Sequence, residues 1–152
     1  MEAQVELGER DVIGMETSAD KPTYANILDE WNWVEAGISE ILAEQPQLTF
    51  RPEDVCLACL NGEAHLWVAK EGFVIVTSEV DEFSKEKTFL IWLAWTKNRG
   101  QSCAIKYLPF FCQVAKANGF KDIETRTPVP ALEDYFLDSG WKKDTVIYTR
   151  EL

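Results

Sequence analysis

The run Arg99-Gly100-Gln101-Ser102-Cys103-Ala104 combines one guanidinium with small residues at the expected mouth of a helix, the residue types that can hold an anion. Amides in the first turn of a helix lack intrahelical acceptors, and with the helix dipole they attract a pyrophosphate-like group. Gly100 allows close approach, and Ser102 suits the N-cap, although its Cβ fills space that a glycine would leave. A second chemically capable spacing is Cys56-Leu-Ala-Cys59, that of a redox pair or half a zinc site. The chain has four cysteines (56, 59, 103 and 112) and one histidine, His65, with no second CxxC, so four metal ligands do not assemble. On a short helix, positions 56 and 59 stand one turn apart and read as core, with their thiols reduced. His65 sits between apolar neighbours on a strand pattern and reads as structural. No Ser-His-Asp or Cys-His arrangement, Walker loop or dinucleotide fingerprint occurs.

The elements that would carry these residues follow from periodicity. Within residues 1–22, Val5, Leu7, Val12 and Ile13 suggest a first strand, interrupted by Gly8 and Gly14. Residues 24–44 repeat Ile27, Trp31, Val34, Ile38, Ile41 and Leu42 at helical spacing, with Thr23 as the expected N-cap and Pro46 as the stop. Trp33 lies off that face. Pro52 opens a short helix to about residue 60, which Asn61-Gly62 closes. Residues 64–69, 73–78 and 88–95 read as three successive strands, the first two joined by a tight turn at Glu71-Gly72. The strand at 88–95 is apolar on both faces, which predicts cover on both sides. A helix over 102–118 is expected to kink at Pro109 and to end at Asn118-Gly119. Residues 122–126 form a strand, 131–138 a short helix, and 146–149 the last strand.

Composition limits the function classes. One domain accommodates 152 residues, and a chain of this size buries roughly 70% of its unfolded surface. The net charge of −11, with no basic cluster denser than Lys142-Lys143, disfavours nucleic acid. The longest apolar run, residues 89–95, falls far short of the roughly 20 needed to span a bilayer. The acidic first 15 residues carry no secretion signal, so the protein is expected in the cytoplasm.

The order of elements over residues 24–152 resembles the GNAT acyltransferase superfamily. That resemblance implies an α/β single domain, a mixed central sheet with an antiparallel meander flanked by helices. GNAT proteins carry Arg or Gln, two residues, Gly, one residue, then Gly or Ala after the central strand. Arg99 and Ala104 fit, while Ser102 stands at the middle Gly. The second motif is Leu132-Glu-Asp-Tyr-Phe136-Leu-Asp-Ser-Gly140-Trp141, similar to the family's Tyr-bearing helix followed by Gly-Phe. Phe136 holds the place of that Tyr, and Tyr135 lies one residue earlier, turned by about 100° on a helix. The chain also looks like small GNAT-like proteins of tailed bacteriophages, some placed among virion genes.

The resemblance implies acetyl-CoA as co-substrate and no metal. Main chain from Trp95 to Lys97 would offer an N–H to the thioester carbonyl, and Arg99, Gly100, Gln101, Ser102, Cys103 and Ala104 would grip the pyrophosphate. Tyr135 would be the general acid. The strand at 88–95 contains no acid, which leaves Glu79 and Asp81 as the nearest candidate bases. The implied acceptor is a primary amine of a small molecule or a Lys-containing protein. The alternative is a GNAT-like domain without catalysis that serves as a binding or virion-associated protein. Ser102 for Gly, Phe136 for Tyr, Pro109 and the missing strand acid favour that alternative.

Overall fold

The computed structural model describes residues 21–98, 102–127 and 130–152. The strand expected within residues 5–13 lies outside them. The chain first enters the sheet at β1, Thr23–Ala25, which pairs antiparallel with β2, Ala64–Ala69. This corrects the expected helix start: the free edge of β2 draws Thr23 into the ladder, so Asn26 caps helix α1, Ile27–Glu44, instead. Asn26 Oδ1 accepts from Leu28 N–H at 2.8 Å, satisfying one otherwise orphaned amide. Helix α2, Pro52–Leu60, begins at its proline as expected, with the Asp54 carboxylate accepting the Arg51 N–H.

Strand β2 turns through Lys70-Glu71 into β3, Gly72–Val80, which pairs antiparallel with β4, Lys87–Thr96. The turn therefore comes one residue earlier than expected, because Gly72 already pairs with Ala69 and Thr96. A Cβ on Gly72 would lie 1.9 Å from the Trp95 carbonyl oxygen, so this position in the ladder admits only glycine. After β4 come helix α3, Cys103–Lys106, and helix α4, Leu108–Ala117, then β5, Asp122–Thr125, parallel to β4. The sheet order is β1-β2-β3-β4-β5. The kink expected at Pro109 is a full break at Tyr107, with the proline in the first turn of α4, where its missing N–H costs no hydrogen bond. Gly119, at φ 78°, closes α4 after the Asn118 C-cap.

Alternation along the strands splits the core in two. Leu66, Phe73, Ile75 and Leu93 face α1 and α2, where they meet Val34, Ile38 and Val55. Trp67, Val74, Val76, Phe89 and Ile91 face α4, around the fully buried Phe111. Strand β4 is thus covered on both faces. Trp33 is half-buried, its ring 5.7 Å from Phe73 and 6.2 Å from Trp95, so it belongs to this packing.

The C-terminal elements differ most from expectation. A 3-10 turn, Pro130–Leu132, precedes a single helix, α5, Glu133–Asp138. Residues 141–152 form neither helix nor strand, and Ile147 and Tyr148 are 76% and 91% exposed, so the expected strand at 146–149 is corrected. Its alternating sequence supplies strand propensity, but a strand needs an edge to pair with.

Candidate functional site

The parallel ladder between β4 and β5 runs from Thr88 and Asp122 to Ile91 and Thr125. Strand β4 continues for five more residues, 92–96, without a described partner on that side. At this point the β3–β4 register slips: Ile75 faces Leu93, but Val76 faces Ile91, leaving Trp92 as the extra residue of a bulge. A bulge bends and twists its strand, and this one falls where β5 ends at Thr125, so the space beyond that end, along β4, is a candidate crevice. The crevice lies at the C-terminal ends of two parallel strands joined through a helical crossover, where α/β sheets place their ligands.

The direction of the β4 amides follows from one hydrogen bond. Lys97 N–H donates to the Glu71 carbonyl at 2.8 Å, so it faces β3. Ladder amides alternate, so those of Trp95 and Leu93 also face β3, while those of Thr96 and Ala94 face the crevice. Within the segment from Trp95 to Lys97, Thr96 therefore holds the amide that points outward. The Trp95 side chain is committed elsewhere: its ring stacks on Phe73 at 5.8 Å and its indole donates to Glu40 Oε2 at 3.1 Å.

Thr96 also closes the loop that follows. Its Oγ1 accepts from Cys103 N–H at 2.8 Å, which ties the end of β4 to the start of α3. Ser102 is the N-cap of α3, as expected, with its Oγ accepting from Ile105 N–H at 3.2 Å. Two first-turn amides are thereby occupied, and the third, Ala104 N–H, has no acceptor among the described residues. Helix α3 is a single turn, so the amides themselves, rather than a long helix dipole, would hold an anion here. Arg99, Gly100 and Gln101 lie outside the described residues. The side chains of Cys103 and Ala104 pack into the core under α4. Burial, reinforced by the charge of Glu71, pushes the Cys103 thiol up to about 11, so it stays protonated near neutrality.

Glu71 binds this region together, a role that nothing in the sequence signals. Besides its carbonyl bond to Lys97, its carboxylate accepts from Tyr107 Oη at 2.9 Å and pairs with Lys106 Nζ. The turn after β2 thus clamps both ends of the segment 97–107. Burial pushes the Glu71 carboxyl up, but hydrogen bonds from Lys106 and Tyr107 outweigh it and hold the group below its usual value.

Of the remaining candidates, Glu79 and Asp81 stand at the opposite end of β4 from Thr96. Glu79 faces Thr88 at the other end of β4, seven strand residues from Trp95, roughly 23 Å by strand rise. Its carboxylate is held by Arg126 Nη2 at 3.0 Å, and Arg126 also pairs with Glu124. Asp81 caps the following loop, accepting from Phe83 and Ser84 N–H at 2.9 and 2.8 Å, and those backbone bonds lower its pKa. On α5, Phe136 packs into the core and against Trp141 at 5.4 Å, whereas the half-buried Tyr135 lies outside that cluster. Cys56 and Cys59 pack against the α1–α2 core, and burial, with the charge of Cys56, pushes Cys59 up to about 12. Among the described residues, no group of three or more His, Cys, Asp or Glu could hold a metal ion, and no helix is long and apolar enough to cross a membrane.

No family model and no curated sequence matches the chain. Solved structures do. Glucosamine-6-phosphate N-acetyltransferase from Arabidopsis thaliana aligns over 86% of this chain and 97% of its own, at 12% identity and a TM-score of 0.62. An aminoglycoside acetyltransferase from an uncultured soil metagenomic sample, solved with sisomicin, gives 0.61 at 14% identity, over 87% of this chain and 95% of its own. Ribosomal-protein-alanine N-acetyltransferase from Brucella melitensis biovar Abortus 2308 gives 0.61 at 11% identity, over 87% and 98%.

Proposed function

We propose that this chain, which has the GNAT acetyltransferase fold, is an N-acyltransferase that takes an acetyl group from acetyl-CoA and delivers it to a primary amine of a small molecule or a Lys-containing protein. The observation that carries the reading is that β4 runs on past the end of β5 from the Trp92 bulge, with outward amides that have no strand partner among the described residues. Acetyl-CoA would supply the activated thioester. The outward amides of Thr96 and Ala94 suit a carbonyl oxygen, whose negative charge grows as the amine attacks, and fixed N–H dipoles are most effective against such developing charge. Ala104 N–H and the Ser102-capped turn suit the pyrophosphate, with Arg99, Gly100 and Gln101 proposed as the rest of that cradle. Tyr135 as acid and Glu79 or Asp81 as base remain proposals on the resemblance.

A second reading is favoured by specific contacts. Glu79 pairs with Arg126, Asp81 caps its own loop, and Phe136 packs against the core beside Tyr135. A domain that keeps the crevice but lacks a placed base and acid would bind without turnover, as a binding or virion-associated protein of a bacteriophage.

Calorimetric titration with acetyl-CoA, with CoA as control, tests the reading. Micromolar binding that weakens at least tenfold on combining Arg99→Ala with Thr96→Val is expected. Absence of heat and of thermal shift at millimolar acetyl-CoA would sink the acyltransferase. Binding without product across an amine panel would favour the second reading.

A further inference from the structure

Away from the crevice, three buried polar side chains meet without protein partners. Among the described residues, His65 Nδ1 and Nε2, Trp67 Nε1 and Asn118 Oδ1 have no hydrogen-bond partner, although these residues are only 8%, 3% and 8% exposed. His65 and Trp67 are two apart on β2 and so share the face toward α4. Asn118 ends α4, and its Nδ2 donates to the Val114 carbonyl at 2.7 Å, which commits the nitrogen and leaves Oδ1 free. All three line one half-open cavity of about 20 Å³, whose other walls include Thr77, Ser78, Phe89 and Val114.

We propose that this cavity is the binding site of a single structural water, held by Trp67, Asn118 and His65. The size fits, since one water needs about 10–15 Å³ of such space and a second would need about as much again. The chemistry fits as well. A water has two hydrogens to give and two lone pairs to receive with. The Trp67 indole can only donate, the Asn118 oxygen can only accept, and a neutral imidazole does either. The water accepts from the indole and donates to Asn118. Its second hydrogen goes to the unprotonated imidazole nitrogen. Cavities lined only by apolar groups stay dry, but one that gathers three unpaired polar groups does not. The site joins β2 to the end of α4, a link that no direct side-chain hydrogen bond supplies among the described residues. It is independent of any acyl-donor site.

A high-resolution crystal structure is expected to show one full-occupancy water within about 3.2 Å of at least two of the named atoms. In solution, the Trp67 indole proton, assigned by its loss in Trp67→Phe, is expected to show cross-relaxation with a long-lived water. Val114→Leu, which extends a side chain into the space, should abolish that signal. A dry cavity with no cross-relaxation in the wild type would overturn the proposal. So would side chains that turn to pair with each other or with protein carbonyls.

Discussion

At the scale of single residues, burial decides the chemistry. Burial pushes the His65 pKa from 6.5 down to about 4. Above pH 6.5 the imidazole is neutral in both folded and unfolded chains. Between pH 6.5 and 4 the unfolded chain takes up a proton that the folded one refuses, so stability falls with pH across that window. The loss amounts to about 2 kcal/mol by pH 5. Urea unfolding at pH 7 and pH 5 checks this: His65→Phe should lose much less than the wild type, and equal losses would refute it. Residue types showed a structural histidine flanked by apolar neighbours. They could not show that it lines one cavity with Trp67 and Asn118, because Asn118 is 53 positions away and only the docking of α4 on the sheet brings it there. The same holds for Glu79, whose partner Arg126 comes from the far side of β4.

Among elements, the joints matter more than the bodies. The bounds of α2 and β2 agree with the sequence reading because prolines, an Asn-Gly turn and period-two alternation mark them locally. The start of α1 did not, because β1 exists only through pairing with β2. Glu71 is the joint with the clearest consequence. Replacing it with Ala removes the acceptor for Tyr107 Oη and Lys106 Nζ and is expected to lower the melting temperature by roughly 2–5 °C. Glu71→Gln, which keeps a hydrogen-bond acceptor for Tyr107, should fall between the two. Scanning calorimetry of the three proteins decides it, and a Glu71→Ala curve that overlays the wild type would show the clamp to be idle. If the loop at 97–102 holds acetyl-CoA, Glu71→Ala should also weaken that binding.

For the molecule as a whole, stability resides in the two cores on either face of the sheet, and the C-terminal segment adds little to them. Residues 142–152 are exposed throughout, with Leu152, Tyr148 and Ile147 fully or largely in solvent. Deleting residues 145–152 should therefore shift the melting temperature by less than about 2 °C, since surface groups without buried partners contribute little. A fall several times larger would mean that this segment pairs with the sheet after all. Its strand pattern was plain in the sequence, yet propensity alone does not fix a strand, because backbone pairing is a contract between two segments. The crevice is a parallel case. Periodicity and turn residues were enough to give the helices at 52–60 and before Asn118-Gly119 and the three successive strands, because each depends on neighbours along the chain, while the α/β class came with the resemblance in element order. The bulge at Trp92, the outward amides of Thr96 and Ala94, the Glu71 clamp and the polar cavity depend on register and docking between distant segments, and these emerge only when the sheet closes and its two faces are covered.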